Sequence, residues 1–200
     1  MVSTRRRNRG LCAGIKRRFR QLYEYFFVKN LKVAFIGLSD SGKSSFVSPL
    51  FENEFLQDMN SPEVRIHEKK MDNIKVLIYD IPGDPSSISK WDHYYKKSDV
   101  IIFFLNSTAD EETRKKSKNE LHSLLYRNMW MRKNLLILGT KNDLPDSMSC
   151  KDIILALDLM TIGDREVACY SISNKNLVNI DLVREWIVEQ AALVRETRWN

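Results

Sequence analysis

The stretch Gly37-Leu38-Ser39-Asp40-Ser41-Gly42-Lys43-Ser44 constrains this chain more than any other feature. It matches GxxxxGK[ST] and continues directly from Leu31–Gly37 (LKVAFIG), an apolar run of strand character. A helix is expected to open at Lys43 and run to about Asn53. A glycine turn between strand and helix lets successive backbone N–H groups wrap a phosphate, and the helix N-terminus favours the anion. In that arrangement Gly37, Asp40, Ser41, Gly42 and Ser45 line the phosphates. Lys43 offsets their charge, and the Ser44 hydroxyl faces Mg²⁺. From average residue frequencies, such a match arises by accident in a chain of this length on the order of once in a hundred.

The remaining sequence alternates strand-like and helix-like segments. Glu63–Lys70 and Ile74–Asp80 read as a hairpin about Asp72-Asn73. Val100–Asn106 (VIIFFLN) and Leu135–Thr140 (LLILGT) are short continuous apolar runs, as central parallel strands require. Val167–Ile172 supplies a last strand, and helical periodicity covers Glu111–Arg127, Lys151–Asp158 and Val178–Arg195. The expected fold is α/β, with about six mostly parallel strands, helices on both faces and ligands at the carboxyl ends of the strands. The expected organisation is a leader over residues 1–29, a nucleotide-binding domain over 30–195 and a tail over 196–200.

A phosphate loop does not choose its base. Three further elements bear on that choice, each at the end of a strand. Asp80-Ile81-Pro82-Gly83 follows the third strand, where Asp80 can hold Mg²⁺ through water and the Gly83 N–H can meet a γ-phosphate. Thr140-Lys141-Asn142-Asp143 follows the fifth. The Asp143 carboxylate can accept both the N1–H and the 2-amino hydrogens of guanine, a pair adenine lacks, while the Lys141 stem lies along the base. Ser171-Ile172-Ser173 follows the sixth, where a backbone N–H at Ser171 or Ile172 can meet the guanine carbonyl. Together they point to GTP/GDP with Mg²⁺.

Charge divides the chain. Residues 1–23 carry eight Arg/Lys and no acidic residue, so of a net +6 the remainder contributes −2. The near-neutral body argues against nucleic acid as partner, and the cationic leader argues for an anionic surface. Leu11, Ile15, Leu22 and Phe26 recur at helical spacing with Phe19 between them, opposite most of Arg17, Arg18 and Arg20. This is the pattern of an amphipathic membrane-surface helix. The same helix could pack on its own domain, and an acid-free Arg-rich leader also fits a transit peptide. Cys12 is a candidate for palmitoylation. No apolar window of about 18 residues could span a bilayer, and the leader lacks a signal-peptide core. The protein is therefore not expected to be secreted. Three separated cysteines, at Cys12, Cys150 and Cys169, suggest neither disulfide framework nor zinc site. Cys169 is expected as a buried strand residue.

On these residues the chain resembles the Arf-family small GTPases over about Leu31 to Gln190, and within them the lysosomal Arf-like subfamily eight. The matching stretches are Phe46-Val47, Asp58-Met59, Asn119-Glu120-Leu121-His122, Leu136–Pro145 (LILGTKNDLP), Asp164–Ser173 (DREVACYSIS) and Asn179-Ile180-Asp181. Trp91-Asp92-His93-Tyr94 resembles the family's W-x-[HR]-Y. The resemblance implies the small-GTPase fold and an N-terminal membrane helix. It also implies effector and exchange-factor proteins at the switch regions, and the cytoplasmic face of endomembranes such as lysosomes or late endosomes.

The departures fall on the switches. Where the family has D-x-G-G-Q, this chain has Asp80-Ile81-Pro82-Gly83-Asp84. The glutamine that orients the attacking water is thus a shorter, charged Asp84, and Pro82 stiffens the segment. With Gly83 and Asp84 as the only candidate catalytic residues, hydrolysis is expected at or below the intrinsic rate of about 10⁻⁴ s⁻¹. The first switch is one residue short. The family's Mg²⁺-binding threonine falls on Pro62 counting forward and on Ser61 counting back, and Ser61 keeps the hydroxyl. Glu63 stands where a glycine is usual, and Thr140 where asparagine is. These departures leave open a pseudo-GTPase that holds nucleotide without switching. An ATP-using P-loop enzyme is disfavoured by Asp143. His67, His93 and His122 have no nucleophile or metal partner at useful spacing. The Lys115-Lys116/Lys118 run reads as a solvated helix face and Trp186 as core, while Trp91 and Tyr94 could serve core or partner surface.

Overall fold

The computed structural model describes residues 29–52, 63–71 and 73–197. The leader helix, Cys12, the first-switch Ser61 and the chain end at 198–200 lie outside these residues. Six strands form one sheet: β1 (Lys29–Ile36), β2 (Arg65–Met71), β3 (Ile74–Asp80), β4 (Val100–Asn106), β5 (Leu135–Thr140) and β6 (Val167–Ser171). Their order is β2-β3-β1-β4-β5-β6, with only β2 antiparallel. The helices are α1 (Val47–Glu52), α2 (Trp91–Lys97), α3 (Glu111–Arg127), α4 (Cys150–Ala156) and α5 (Ile180–Thr197).

The period-two alternation of a strand divides the core between the two faces. Along β1, Val33 and Phe35 turn to one face with Phe46, Leu50 of α1, and Val183, Trp186 and Ile187 of α5. Ala34 and Ile36 turn to the other with Trp91 and Tyr95 of α2, Leu121 and Leu124 of α3 and Ile153 of α4. Central β4 and β5 have helices on both sides, which is why VIIFFLN and LLILGT are apolar without alternation. Edge strand β2 alternates half-buried and exposed residues.

The helix starts are written in the sequence. Asp110 accepts from the Thr113 N–H at 2.7 Å ahead of Glu111 and Glu112. Ser149 and Asp152 form a reciprocal capping box on α4. Two elements differ from expectation. The segment after the phosphate loop opens as a short 3₁₀ turn, Ser44–Phe46, before α1. Trp91–Lys97, expected only as a sequence match, is a helix whose Trp91 and Tyr95 are fully buried. Trp91 therefore belongs to the core, and its Nε1 donates to the Pro82 carbonyl at 3.2 Å. Tyr94 is half-buried against Tyr79 and His93. Trp186 is core as expected, and the exposed Lys115 pairs with Glu111 one turn back. Cys169 lies half-buried in β6, close to Cys150, whose thiol meets the Cys169 carbonyl.

The order in which successive strands are added reverses at β1, with β3 on one side and β4 on the other. The crevice beyond the carboxyl ends at such a point is where open α/β sheets bind ligands.

Candidate functional site

The loop from Gly37 to Ser44 stands at the carboxyl end of β1, in that crevice. Gly37 has φ 152°, and a Cβ there would lie 2.4 Å from the Phe104 carbonyl oxygen, so no other residue fits. Asp40 takes φ 60°, a conformation tolerated by aspartate better than by most side chains. Lys43 folds back inside the loop. Its Nζ donates to the carbonyls of Gly37 (2.7 Å) and Leu38 (2.8 Å) and to Ser41 Oγ (3.2 Å). Burial pushes its pKa down to about 8, opposed by the negative charges of Asp80, Asp40 and Asp84.

Ser44 Oγ donates to Asp80 Oδ2 at 2.6 Å, bringing together two oxygen groups that lie 36 positions apart. Gly83 then presses on the loop. Its carbonyl accepts from the Ser39 N–H at 3.2 Å, and an added Cβ would fall 2.2 Å from the Gly37 oxygen. The next residue, Asp84, does not project freely. Its carboxylate accepts from Ser86 Oγ and from the Ser87 N–H at 3.1 Å, and hydrogen bonds from Ser86 and Ser87 hold the carboxyl below its ordinary value.

The end of β5 is strapped to the same loop. Thr140, fully buried, donates through Oγ1 to the Ser41 carbonyl at 2.9 Å and the Leu105 carbonyl at 3.3 Å. Thr140 thus ties the two loops as a hydroxyl, with no need of the amide that the family resemblance led one to expect. Lys141 reaches both carboxylate oxygens of Asp40 at 2.8 Å. Asp143 Oδ1 accepts from Ser173 Oγ at 2.5 Å.

The sixth strand requires a correction of register. The Ile172 N–H is spent on the Gly139 carbonyl at 2.7 Å, and the Ser171 carbonyl accepts from Asn179 Nδ2. The Ile172 N–H is therefore not offered to the crevice. The residues that meet Asp143 and the phosphate loop come next in the chain. Ser173 orients the Asp143 carboxylate, and Asn174 Nδ2 donates to the Gly42 carbonyl at 3.0 Å. Asn174 and Lys175 join Gly42, Ser45, Lys141 and Asp143 around a pocket of about 230 Å³. Asn174 is buried, and its Oδ1 lacks a hydrogen-bond partner among the described residues. Asn174 lies three residues past the end of β6, where no local sequence pattern marks it.

Of the expected site residues, Gly37, Asp40, Ser41, Gly42, Lys43, Ser44, Ser45, Asp80, Gly83, Thr140, Lys141 and Asp143 come together at this crevice. Ser61 lies outside the described residues.

Comparison with known proteins agrees with this architecture. The family model of the ADP-ribosylation factor family matches residues 17–191. An ADP-ribosylation factor-like protein 8b of Arabidopsis thaliana is 32% identical over 172 residues, 85% of this chain and 92% of that protein. Among solved structures, the Arl6 BBS3 small GTPase of Trypanosoma brucei, with the nucleotide analogue GppNp bound, superposes with a TM-score of 0.72 at 19% identity. That match covers 82% of this chain and 98% of the other. The mammalian SRP receptor structure superposes with a TM-score of 0.67 at 20% identity, over 80% of this chain and 99% of the other. The structural likenesses carry the small-GTPase fold, and the sequence matches carry the family: this chain belongs to the ADP-ribosylation factor family of guanine-nucleotide-binding small GTPases.

Proposed function

We propose that this protein is a membrane-associated, Arf-like regulator of vesicle or lysosome-type trafficking that binds GTP/GDP securely and hydrolyses GTP slowly. The observation that carries the reading is the convergence of buried Lys43, the Ser44–Asp80 pair and the Ser173-oriented Asp143 on one crevice at the carboxyl edge of the sheet. Lys43 offsets the β- and γ-phosphate charge. Asp143 accepts the two guanine donors, with its second oxygen left clear of the Ser173 bond. The donor set of a serine hydroxyl and a carboxylate suits Mg²⁺, which prefers oxygen ligands and a share of phosphate oxygens. Ser44 and Asp80 would hold that ion, which when bound neutralises charge on the phosphates.

Slow hydrolysis follows from what Asp84 does. A residue that orients water must present a neutral donor and acceptor toward the γ-phosphate. The Asp84 carboxylate is anionic, and Ser86 and Ser87 occupy it. The same observation favours a second reading, in which the protein holds nucleotide without cycling and recruits its partner constitutively. The cationic leader supports attachment to the cytoplasmic face of an anionic endomembrane. A groove of about 660 Å³ between Leu50 and Phe51, Met71 of the hairpin and Val188 of α5 offers it a resting place off the membrane. Effectors and exchange factors would read the segments around 58–70 and 80–95.

The deciding experiment is extraction of nucleotide from the purified full chain, read by chromatography. Guanine nucleotide is expected, whereas adenine nucleotide or none overturns the reading. Hydrogen exchange in the two switch segments with GDP and with a non-hydrolysable GTP analogue then separates a cycling protein from a constitutive one.

A further inference from the structure

Opposite the nucleotide crevice, the turn between α3 and β5 exposes an apolar cluster of a kind a soluble surface seldom displays. Trp130 is 80% exposed, Tyr126 75%, Met129 45% and Met131 40%, all within six consecutive residues. Single exposed apolar side chains are ordinary, but a contiguous set led by a tryptophan marks a contact surface.

The exposure is built in. Asn128 is buried and donates through Nδ2 to Asp92 Oδ1 at 2.6 Å and to the Leu124 carbonyl at 3.0 Å. On the far side of the turn, Lys133 Nζ donates to the carbonyls of Tyr95 at 2.5 Å, Lys96 at 3.0 Å and Ser98. These clamps fix the 3₁₀ turn Met129–Met131 from both ends, so the backbone that carries the three exposed side chains is ordered before any contact.

The location selects the occupant. The register pairs Lys29 with Ile74, Val33 with Val100 and Ile101 with Leu135. Lys29, through which residues 1–28 join the body, and Trp130, five positions before β5, therefore leave the sheet at the same amino-terminal edge. The strands concerned, β1 and β5, lie two strand spacings, ~10 Å, apart across the sheet. The joining segment is the one with eight cationic and no acidic residues in its first 23 positions. Around the turn, Lys96, Lys97 and Arg132 are exposed. An apolar tip with an indole and a cationic rim matches the headgroup region of an anionic bilayer, where tryptophan sits at the boundary of oil and water.

We propose that the Met129–Met131 turn is a second membrane-contact element, seated on an anionic phospholipid surface beside the leader, so that the nucleotide crevice faces away from the lipid. The choice of occupant rests on reading the leader as a membrane segment; the exposed, clamped turn stands independently.

The test uses the full chain with phosphatidylcholine vesicles, with and without phosphatidylserine, some carrying bromine on the acyl chains. Trp130 emission is isolated as the difference between the wild type and a Trp130→Phe variant. Blue-shifted emission quenched by brominated lipid is expected on phosphatidylserine vesicles. A Met129→Ser/Trp130→Ser/Met131→Ser variant, with unchanged nucleotide content, should partition on the order of tenfold more weakly. If the chain binds vesicles but the difference emission is unmoved, the proposal fails while the leader reading stands, and the patch belongs to a protein or a second copy. If a Leu11→Asp/Phe19→Asp variant binds like the wild type and Trp130 is still quenched, the leader reading fails and the turn remains. Absence of binding by the whole chain overturns both.

Discussion

Ser173 donates its hydroxyl to Asp143 at 2.5 Å, joining the ends of the two strands that bracket the base pocket. That bond occupies one carboxylate oxygen and fixes the plane of the other. Charge-assisted hydrogen bonds are each worth about 1.5–3 kcal/mol, so the two residues should differ sharply when changed. Asp143→Asn replaces an acceptor by a donor facing the guanine 2-amino group and is expected to weaken GDP binding by roughly 10²-fold or more. It should also turn preference toward xanthine nucleotide, which carries an acceptor at that position. Ser173→Ala leaves the carboxylate in place but unoriented, at a cost of about 1 kcal/mol, or fivefold. Titration with a fluorescent GDP analogue, competed by XDP, measures both. Equal loss in the two variants would assign Ser173 a direct role on the base.

Lys43 should make nucleotide affinity depend on pH in one direction. Burial holds its pKa at about 8 in the free protein, and the phosphate anions raise it on binding. Below pH 8 both states are protonated and affinity is flat. Above it, binding must take up a proton, and affinity falls by up to about tenfold per pH unit until the bound-state pKa is reached. Lys43→Arg keeps the charge at every such pH and should flatten the slope. Guanine's own ionisation is common to both proteins and cancels in the comparison. Calorimetric GDP titrations in buffers of different ionisation enthalpy give the proton count directly, and zero uptake above pH 8 rejects the account.

Gly83 is a contact point, and its test is steric. A methyl group there would lie 2.2 Å from the Gly37 oxygen and 2.5 Å from the Ser39 nitrogen. Both are backbone atoms of the phosphate loop and cannot swing aside. Gly83→Ala is expected to destabilise the protein by about 1–3 kcal/mol, as overpacking does, and to remove the added stability that GDP confers. Thermal unfolding with and without GDP reports both effects. Retained GDP stabilisation would mean that the second switch and the phosphate loop separate in the bound state.

The fold and most of the site were legible because the chemistry is local in the chain. Gly37–Ser44 and Thr140–Asp143 each carry their residues within eight positions, and the apolar runs around them are too uniform to be anything but buried strands. What was not legible depends on register. Where β6 stops pairing with β5 decides which backbone groups stay free, and the Gly139 carbonyl takes the Ile172 N–H. The helix α2 was hidden for a related reason: its seven residues are too few to show helical periodicity, and tertiary burial of Trp91 and Tyr95 holds them.

Asp84 follows two residues after Pro82, whose carbonyl accepts from Trp91 Nε1. Its carboxylate adds negative charge near Lys43 and is engaged by Ser86 and Ser87. Asp84→Gln removes the charge, lengthens the side chain by one methylene and supplies an amide that can both donate to and accept from water. Single-turnover GTP hydrolysis with Mg²⁺ should rise by about tenfold or more, toward the intrinsic small-GTPase value of ~10⁻⁴ s⁻¹ or beyond. Asp84→Asn removes the charge without the reach, so a smaller rise is expected. The pair of variants divides repulsion from positioning. If Asn and Gln accelerate equally, charge alone limits the rate. If neither does, the limit lies in the backbone at Pro82, whose carbonyl Trp91 holds at 3.2 Å. Pro82→Gly combined with Asp84→Gln should then be the variant that hydrolyses.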